Sequence, residues 1–299
     1  MKEVVVEVNR LTKTFNEVKA VDGISFSIEA DKIYGLLGRN GAGKTTVMQM
    51  VTAQMFPTSG EVKVFGQPPY ENYDVMKQIC FIKESQKYPD NFRVADVLKV
   101  AAAVFPNWDG DYAEALIRDF RLPLKRNLKK LSRGMLSSVG VVVGLASRSP
   151  LTIFDEPYLG LDAVARSLFY DRLIEDYTRY PRTVILSTHL IDEVSRLLEH
   201  VIVIDSGKLI LDAETEELRG MAYTVVGPAA GVESFVKGKE VIHREPFGSM
   251  LSVTIMGDSE SRAKLLAADM GLEIAPVSLQ QLIIYLTKTN LEETAVKGS

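Results

Sequence analysis

Residues 38–46 read Gly38-Arg39-Asn40-Gly41-Ala42-Gly43-Lys44-Thr45-Thr46, and no other stretch of the chain limits its fold so tightly. The run completes G-x-x-x-x-G-K-[ST], a loop whose backbone N–H groups wrap phosphate oxygens. Such a loop needs a strand to deliver it and a helix to leave it, because the helix N-terminus adds its dipole to the anion site. Both neighbours are present. Lys32-Ile33-Tyr34-Gly35-Leu36-Leu37 is a short apolar run, and Thr46, Val47, Met50 and Val51 follow at helical spacing. In this context Lys44 is the point charge for β- and γ-phosphates, the Thr45 hydroxyl is a Mg²⁺ ligand, and all nine residues are expected around a nucleotide.

The elements on either side fit an α/β domain. Val4, Val6 and Val8 alternate, as do Ile24, Phe26 and Ile28, with Asp22-Gly23 expected to turn between segments. Glu61 to Phe65 alternates between glycine turns, and Ile79-Cys80-Phe81-Ile82 is a buried strand. Val94, Val97, Leu98, Ala101, Ala102 and Phe105 form one face of an amphipathic helix, and a second helix is expected from about Tyr112 to Phe120. Ser132 is placed to cap the helix that carries Met135 to Ala146. Strands at Leu151–Phe154 and Thr183–Ser187 follow, and Asp205-Ser206-Gly207 turns a hairpin. Beyond Asp212 the order changes to strand, helix, strand, strand, helix, strand, which is the ferredoxin-like βαββαβ order, with a last helix at Leu279–Thr287. The elements after the first strand of that set are expected at Gly231–Lys237, Val241–Arg244, Met250–Met256, Ser259–Met270 and Leu272–Val277.

Two strand ends carry acids and a histidine. Asp155 leaves an apolar strand at the sheet edge where the phosphate loop also sits, which suits Mg²⁺, through water. Glu156 points elsewhere and is the candidate base for an attacking water. His189, just past the Thr183–Ser187 strand, is within reach of a γ-phosphate, whereas His200 and His243 have no such placement. Phe15, near Val18, is either an adenine-stacking ring or a packing residue.

Bulk properties set limits on partners. A net charge of −4 gives no electrostatic reason to expect nucleic acid. Cys80 is the single cysteine, which excludes an intrachain disulfide and fits a cytoplasmic protein. No run approaches the ~20 apolar residues of a spanning helix, and the longest, Val139 to Ala146, contains two glycines and reads as a buried helix.

Taken in order, Gly38–Thr46, Leu131-Ser132-Arg133-Gly134-Met135, Phe154-Asp155-Glu156-Pro157, Gly160-Leu161-Asp162 and Ser187-Thr188-His189 resemble the ATP-binding cassette (ABC) ATPases over about residues 1–215. Leu131 to Met135 matches the family signature LSGGQ. The resemblance implies an ATPase domain at 1–213 with a helical subdomain at about 85–135, and an accessory α+β domain at 214–299. It further implies that ATP and Mg²⁺ are the cofactors. Phe15 then stacks on adenine, Asp155 serves Mg²⁺, Glu156 is the catalytic base, Asp162 is the D-loop acid and His189 the γ-phosphate switch. Ser132 and Gly134 contact the γ-phosphate held by a second ATPase subunit, so a dimer, identical or mixed, is implied.

Three positions depart from the family pattern. Arg133 and Met135 replace Gly and Gln in the signature. Glu84 stands where the Q-loop glutamine is usual, with Gln86 two residues on; Glu84 is favoured, with Mg²⁺ or water as its partner. Thr152 is polar inside a normally apolar strand. The ending Pro276-Val277-Ser278-Leu279-Gln280-Gln281-Leu282-Ile283 resembles ATPase subunits of bacterial exporters with separate membrane subunits. The expected protein is therefore a peripheral ATPase on the inner face of the cell membrane, driving a separate permease, with no nucleic-acid partner. One alternative is a soluble ABC ATPase acting on ribosomes or DNA. The single cassette, the acidic balance and the short span from Lys44 to Ser132 argue against it. Intact Lys44, Asp155, Glu156 and His189 argue against an inactive regulatory subunit.

Overall fold

The computed structural model describes residues 3–84, 86–257 and 266–287. Before the phosphate loop come β1 (Val4–Phe15), β2 (Val18–Glu29) and β3 (Ile33–Leu37). After it come β4 (Ser59–Val64), β5 (Ile79–Ile82), β6 (Leu151–Asp155), β7 (Thr183–Thr188), β8 (His200–Asp205) and β9 (Lys208–Glu214). β2, β1 and β4 make an antiparallel sheet, and β5-β6-β7-β3-β8-β9 make a second sheet in that order. From β5 to β8 the second sheet is parallel, and β9 adds through the Ser206-Gly207 turn, where both residues have positive φ.

The strand order decides where function can sit. Leu37 pairs with Thr188, and Asp155 pairs with Ser187. The phosphate loop, the acid pair and His189 therefore leave the sheet side by side at the carboxyl ends of its parallel strands, the edge where ligands bind in α/β folds.

The chain's longest apolar run explains how a helix reaches that sheet. Arg133–Ala146 is a helix, and Gly140 and Gly144 fall four residues apart on one face. A Cβ at Gly140 would meet Ile82 at 2.9 Å, and one at Gly144 would overlap the Phe154 ring. The missing side chains let the helix backbone lie directly on β5 and β6. Thr152 fits the same interior at no cost in unpaired groups, because its buried hydroxyl donates to the Ser149 carbonyl at 3.1 Å. Cys80 is buried in β5, where burial pushes its thiol up to about 12.

The expected helices form with small shifts at their ends, at Val94–Val104 and Gly110–Asp119, the latter capped by Asp109. Ser132 accepts from the Met135 N–H at 3.2 Å and caps its helix as expected. The hairpin between β1 and β2 differs from expectation. It turns at Asn16-Glu17, with Asn16 in the left-handed region at φ 51°, and not at Asp22-Gly23. Asp22 and Gly23 lie inside β2 at a register irregularity, where Lys13 faces Val21 and Leu11 faces Ile24. Gly23 takes φ 69° there and donates to Thr12 Oγ1, so its turn-like chemistry makes a bulge.

Two compact units divide the chain, one running to His189 and taking up Leu197–Leu209, the other comprising Leu190–Arg196 and the chain from Ile210 on. The later unit holds β10 (Ala222–Pro228), β11 (Glu240–Phe247), β12 (Met250–Met256) and β13 (Glu273–Pro276) in a wholly antiparallel sheet of order β11-β12-β10-β13. A helix at Ala229–Val236 packs Val232, Phe235 and Val236 with Val225, Val253 and Ile255. This is the split strand order that βαββαβ implies. Residues 266–269 and 279–287 are helical, while most of the helix expected at Ser259–Met270 lies outside the described residues. His243 stacks on Tyr285 here, and His200 packs on Tyr34 in the first unit.

Candidate nucleotide site

Gly38 fixes the start of the loop. Its φ is 147°, and a Cβ there would overlap the Ile204 carbonyl, so only glycine fits. The chain then curls around Lys44, whose ammonium donates to the carbonyls of Gly38 at 2.8 Å and Arg39 at 3.2 Å. The Lys44 side chain is 7% exposed and its Nζ lies 3.8 Å from Glu156 Oε1. Burial lowers its affinity for a proton, and Glu156 and Asp155 partly restore it. Asn40 to Thr46 line a cavity of about 260 Å³ together with Ala20, Glu84 and Glu156.

Thr45 opens the helix Lys44–Val51 and donates its hydroxyl to Asp155 Oδ2 at 2.8 Å. Asp155 Oδ1 is buried and without a hydrogen-bond partner. A hydroxyl beside an unsatisfied carboxylate oxygen suits a small divalent cation with oxygen ligands. Among the described residues no cluster of three or more His, Cys, Asp or Glu is placed to hold a metal.

Glu156 parts company with Asp155 through its backbone. Its φ of 49° is left-handed, which costs about 1–3 kcal/mol for a non-glycine residue, and its N–H is tied to the Ser187 carbonyl at 3.1 Å. The carboxylate thereby turns towards Lys44 on one side and towards His189 Nδ1, 2.9 Å away, on the other. Burial holds its carboxyl above the ordinary range. His189 and Lys44 pull it back down, and Asp155 pushes it up further. A buried carboxylate with a raised proton affinity has the character of a general base.

Sequence reasoning missed Tyr158. Its hydroxyl lies 2.8 Å from His189 Nδ1 and accepts the His189 backbone N–H at 3.1 Å. Only the pairing of β6 with β7 brings positions 158 and 189 together, and no spacing along the chain announces it.

Phe15, Ser132, Gly134 and Asp162 do not line this cavity. Phe15 is 44% exposed at the end of β1, with Lys13 Nζ 5.2 Å from its ring centre. Ser132 is exposed, and Gly134 sits against the Gly160 carbonyl. Asp162 is exposed and caps the helix Ala163–Arg179 by accepting from the Ala165 N–H at 2.8 Å. Glu84 lines the phosphate-loop cavity, whereas Gln86 lines two neighbouring ones and not that one.

A glycine-rich loop curled around a buried lysine, an acid beside a hydroxyl and a buried glutamate between lysine and histidine thus stand together at one edge of the sheet. The family model described as ABC transporter matches residues 21–159. The bacitracin transport ATP-binding protein BcrA of Enterococcus faecalis is 30% identical over 227 residues, covering 74% of this chain and 74% of that one. The Nod factor export ATP-binding protein I of Burkholderia lata is 26% identical over 96% of this chain and 98% of its own length. A solved ATP-binding cassette, dimeric in a post-hydrolysis state with ADP and Pi bound, superposes with a TM-score of 0.62 at 20% identity, over 70% of this chain and 98% of that one. The chain belongs to the ATP-binding proteins of ABC transporters, a family of ATPases.

Proposed function

We propose that this chain is the ATP-hydrolysing subunit of an exporter, pairing with a second cassette around two ATP and driving separate membrane subunits. The observation that carries the reading is the division of the motifs. Lys44, Thr45 and Glu156 line one cavity, with Asp155 bonded to Thr45 and His189 to Glu156 behind them, while Ser132, Gly134 and Asp162 do not line it, and Ser132 and Asp162 are exposed. A second cassette, identical or not, facing the first supplies the missing half, with its signature helix directing its N-terminus at the γ-phosphate. In this reading residues 1–213 form the ATPase domain and 214–299 an accessory domain.

Backbone N–H groups from Gly38 to Thr46 orient the phosphates, and Lys44 exchanges its loop carbonyls for β- and γ-oxygens. Thr45, Asp155 and Glu84 hold Mg²⁺, which when bound offsets phosphate charge. Glu156 takes the proton of the attacking water, and His189 holds the γ-phosphate as it becomes inorganic phosphate. Phe15 carries the adenine. ATP holds the pair closed and hydrolysis releases it.

The membrane connection rests on an apolar groove of about 390 Å³ lined by Phe81, Tyr88, Phe92, Val100, Val104 and Phe105, suited to a short helix of a permease. Among the described residues no helix is long and apolar enough to cross a membrane. Export is supported by relatives named for bacitracin transport and Nod factor export. The test uses Glu156→Gln. With ATP and Mg²⁺ it elutes as a dimer, turns over at least ~100-fold more slowly, and retains a multi-spanning protein when drawn from solubilised host membranes. Undiminished turnover removes Glu156 from the base role, and capture of ribosomal or DNA-bound proteins favours the soluble alternative.

A further inference from the structure

Tyr158 carries no role in any motif, yet its hydroxyl meets the nitrogen on which His189 depends. The side chain is 3% exposed, which fixes the phenol in place, and its ring sits edge-on to the imidazole with centres 5.5 Å apart. Two groups therefore face one nitrogen: the Tyr158 oxygen is 2.8 Å from His189 Nδ1, and Glu156 Oε2 is 2.9 Å from it. Their demands are opposite. An ionised carboxylate only accepts, so Glu156 needs a proton on Nδ1. The Tyr158 oxygen already accepts the His189 backbone N–H, which leaves its own proton to be placed, and Nδ1 accepts it only when bare. A neutral imidazole carries one ring proton, and whichever partner Nδ1 serves decides whether Nε2 is a donor or an acceptor.

We propose that Tyr158 is a positioning residue that switches the tautomer of His189. In the nucleotide-free chain Nδ1–H bonds to Glu156, and Nε2 is bare. When a phosphate oxygen demands a donor at Nε2, the ring proton moves there by exchange with water. Nδ1 then accepts the Tyr158 hydroxyl. The imidazole stays neutral and the phenol keeps its proton, so no proton is gained or lost. Glu156 loses its histidine partner in the same step and is left to take the proton of water. Without the phenol, Nδ1 has no donor to turn to, and the Nδ1–H form with its hold on Glu156 persists. The inference rests on the reading of His189 as the γ-phosphate contact, so its test separates the two.

The full chain has three histidines, which makes selective ¹⁵N-histidine labelling readable, with His200→Gln and His243→Gln completing the assignment. Spectra of wild type and Tyr158→Phe are compared with and without Mg²⁺ and a non-hydrolysable ATP analogue. In wild type the His189 signals pass from the Nδ1–H to the Nε2–H pattern when nucleotide is added. In Tyr158→Phe the Nδ1–H pattern is retained, kcat falls about tenfold, and KM for ATP stays within about twofold. A full change of tautomer in the phenylalanine variant overturns the proposal and leaves His189 as a phosphate contact. A wild-type His189 that keeps Nδ1–H although its Nε2 signal responds to nucleotide also overturns the proposal. A His189 blind to nucleotide in both chains overturns the phosphate contact and the proposal together.

Discussion

Glu156, the base of the proposed reaction, sits in a position that disfavours its own charge. Its carboxyl is raised by burial against the pull of His189 and Lys44, so the folded chain binds that proton more tightly than the unfolded one does. The stability this group contributes is full below its ordinary value of 4.5 and is lost as pH rises through the raised value in the fold. Glu156→Gln removes the dependence. In the absence of nucleotide its melting temperature exceeds that of wild type, by a margin widest near neutral pH that closes as pH falls towards about 4.5. Thermal melts of both chains between about pH 5 and pH 8 measure it, and a margin that grows on acidification contradicts the assignment of burial as the cause. Asp155, Glu156 and His189 were legible in the sequence because each follows directly on a strand, where alternation and apolar runs give the position. Tyr158 was not, because its contact with His189 depends on the pairing of Asp155 with Ser187 between two strands far apart in the chain. Thr152 was legible as an oddity, and only the Ser149 carbonyl explains why it is harmless.

Several residues of the signature and its neighbouring loop also work as helix caps. Asp162 holds the first turn of Ala163–Arg179, and Ser132 holds that of Arg133–Ala146. The two duties can be separated. Asp162→Ala loses a cap and costs about 1 kcal/mol of stability, whereas Asn caps as well as Asp, so Asp162→Asn melts close to wild type. Turnover lost in the Asn variant at unchanged melting temperature is then the work of the charge, as the proposed role of Asp162 between paired cassettes requires. Equal turnover in wild type and Asp162→Asn reduces Asp162 to a cap. Further along the same helix, buried Asp176 accepts from Arg148 at 2.9 Å and Arg182 at 2.7 Å, and Arg148 also reaches Asp109 at 2.7 Å, the cap of Gly110–Asp119. Caps of this kind are readable, as Ser132 showed, because they act within three residues. The Arg148 bridge is not, since its two anchors, Asp109 and Asp176, come from separate parts of the chain. The turn of the first hairpin failed for a related reason. Asp22-Gly23 has turn chemistry, but a left-handed glycine also serves a bulge, and only the pairing with β1 decides between them.

The chain passes between its two compact units at residues 189/190, 196/197 and 209/210, so no single linker separates them. Composition signalled one change, beyond Asp212, because strand and helix periodicity shifts there, whereas a seven-residue excursion such as Leu190–Arg196 leaves no compositional trace. Within the later unit Arg219 reaches the Ser195 carbonyl at 3.5 Å. A chain ended at Glu214 strips Leu190–Arg196 of all of its unit but Ile210–Glu214, and its melting temperature falls by at least about 5 °C in thermal melts. An unchanged value shows that the excursion stands without the later chain. Cys80 bears on how such experiments are done. It is the one sulfhydryl of the chain, sealed within β5 and reluctant to ionise. The protein thus offers no accessible thiol of its own to compete for maleimides and thiol-directed nitroxide reagents. Val164→Cys, at a side chain 79% exposed beside the Asp162 cap, carries one spin label per chain in an otherwise natural sequence. If two such chains pair as proposed, the opening and closing of the pair becomes a single ruler distance.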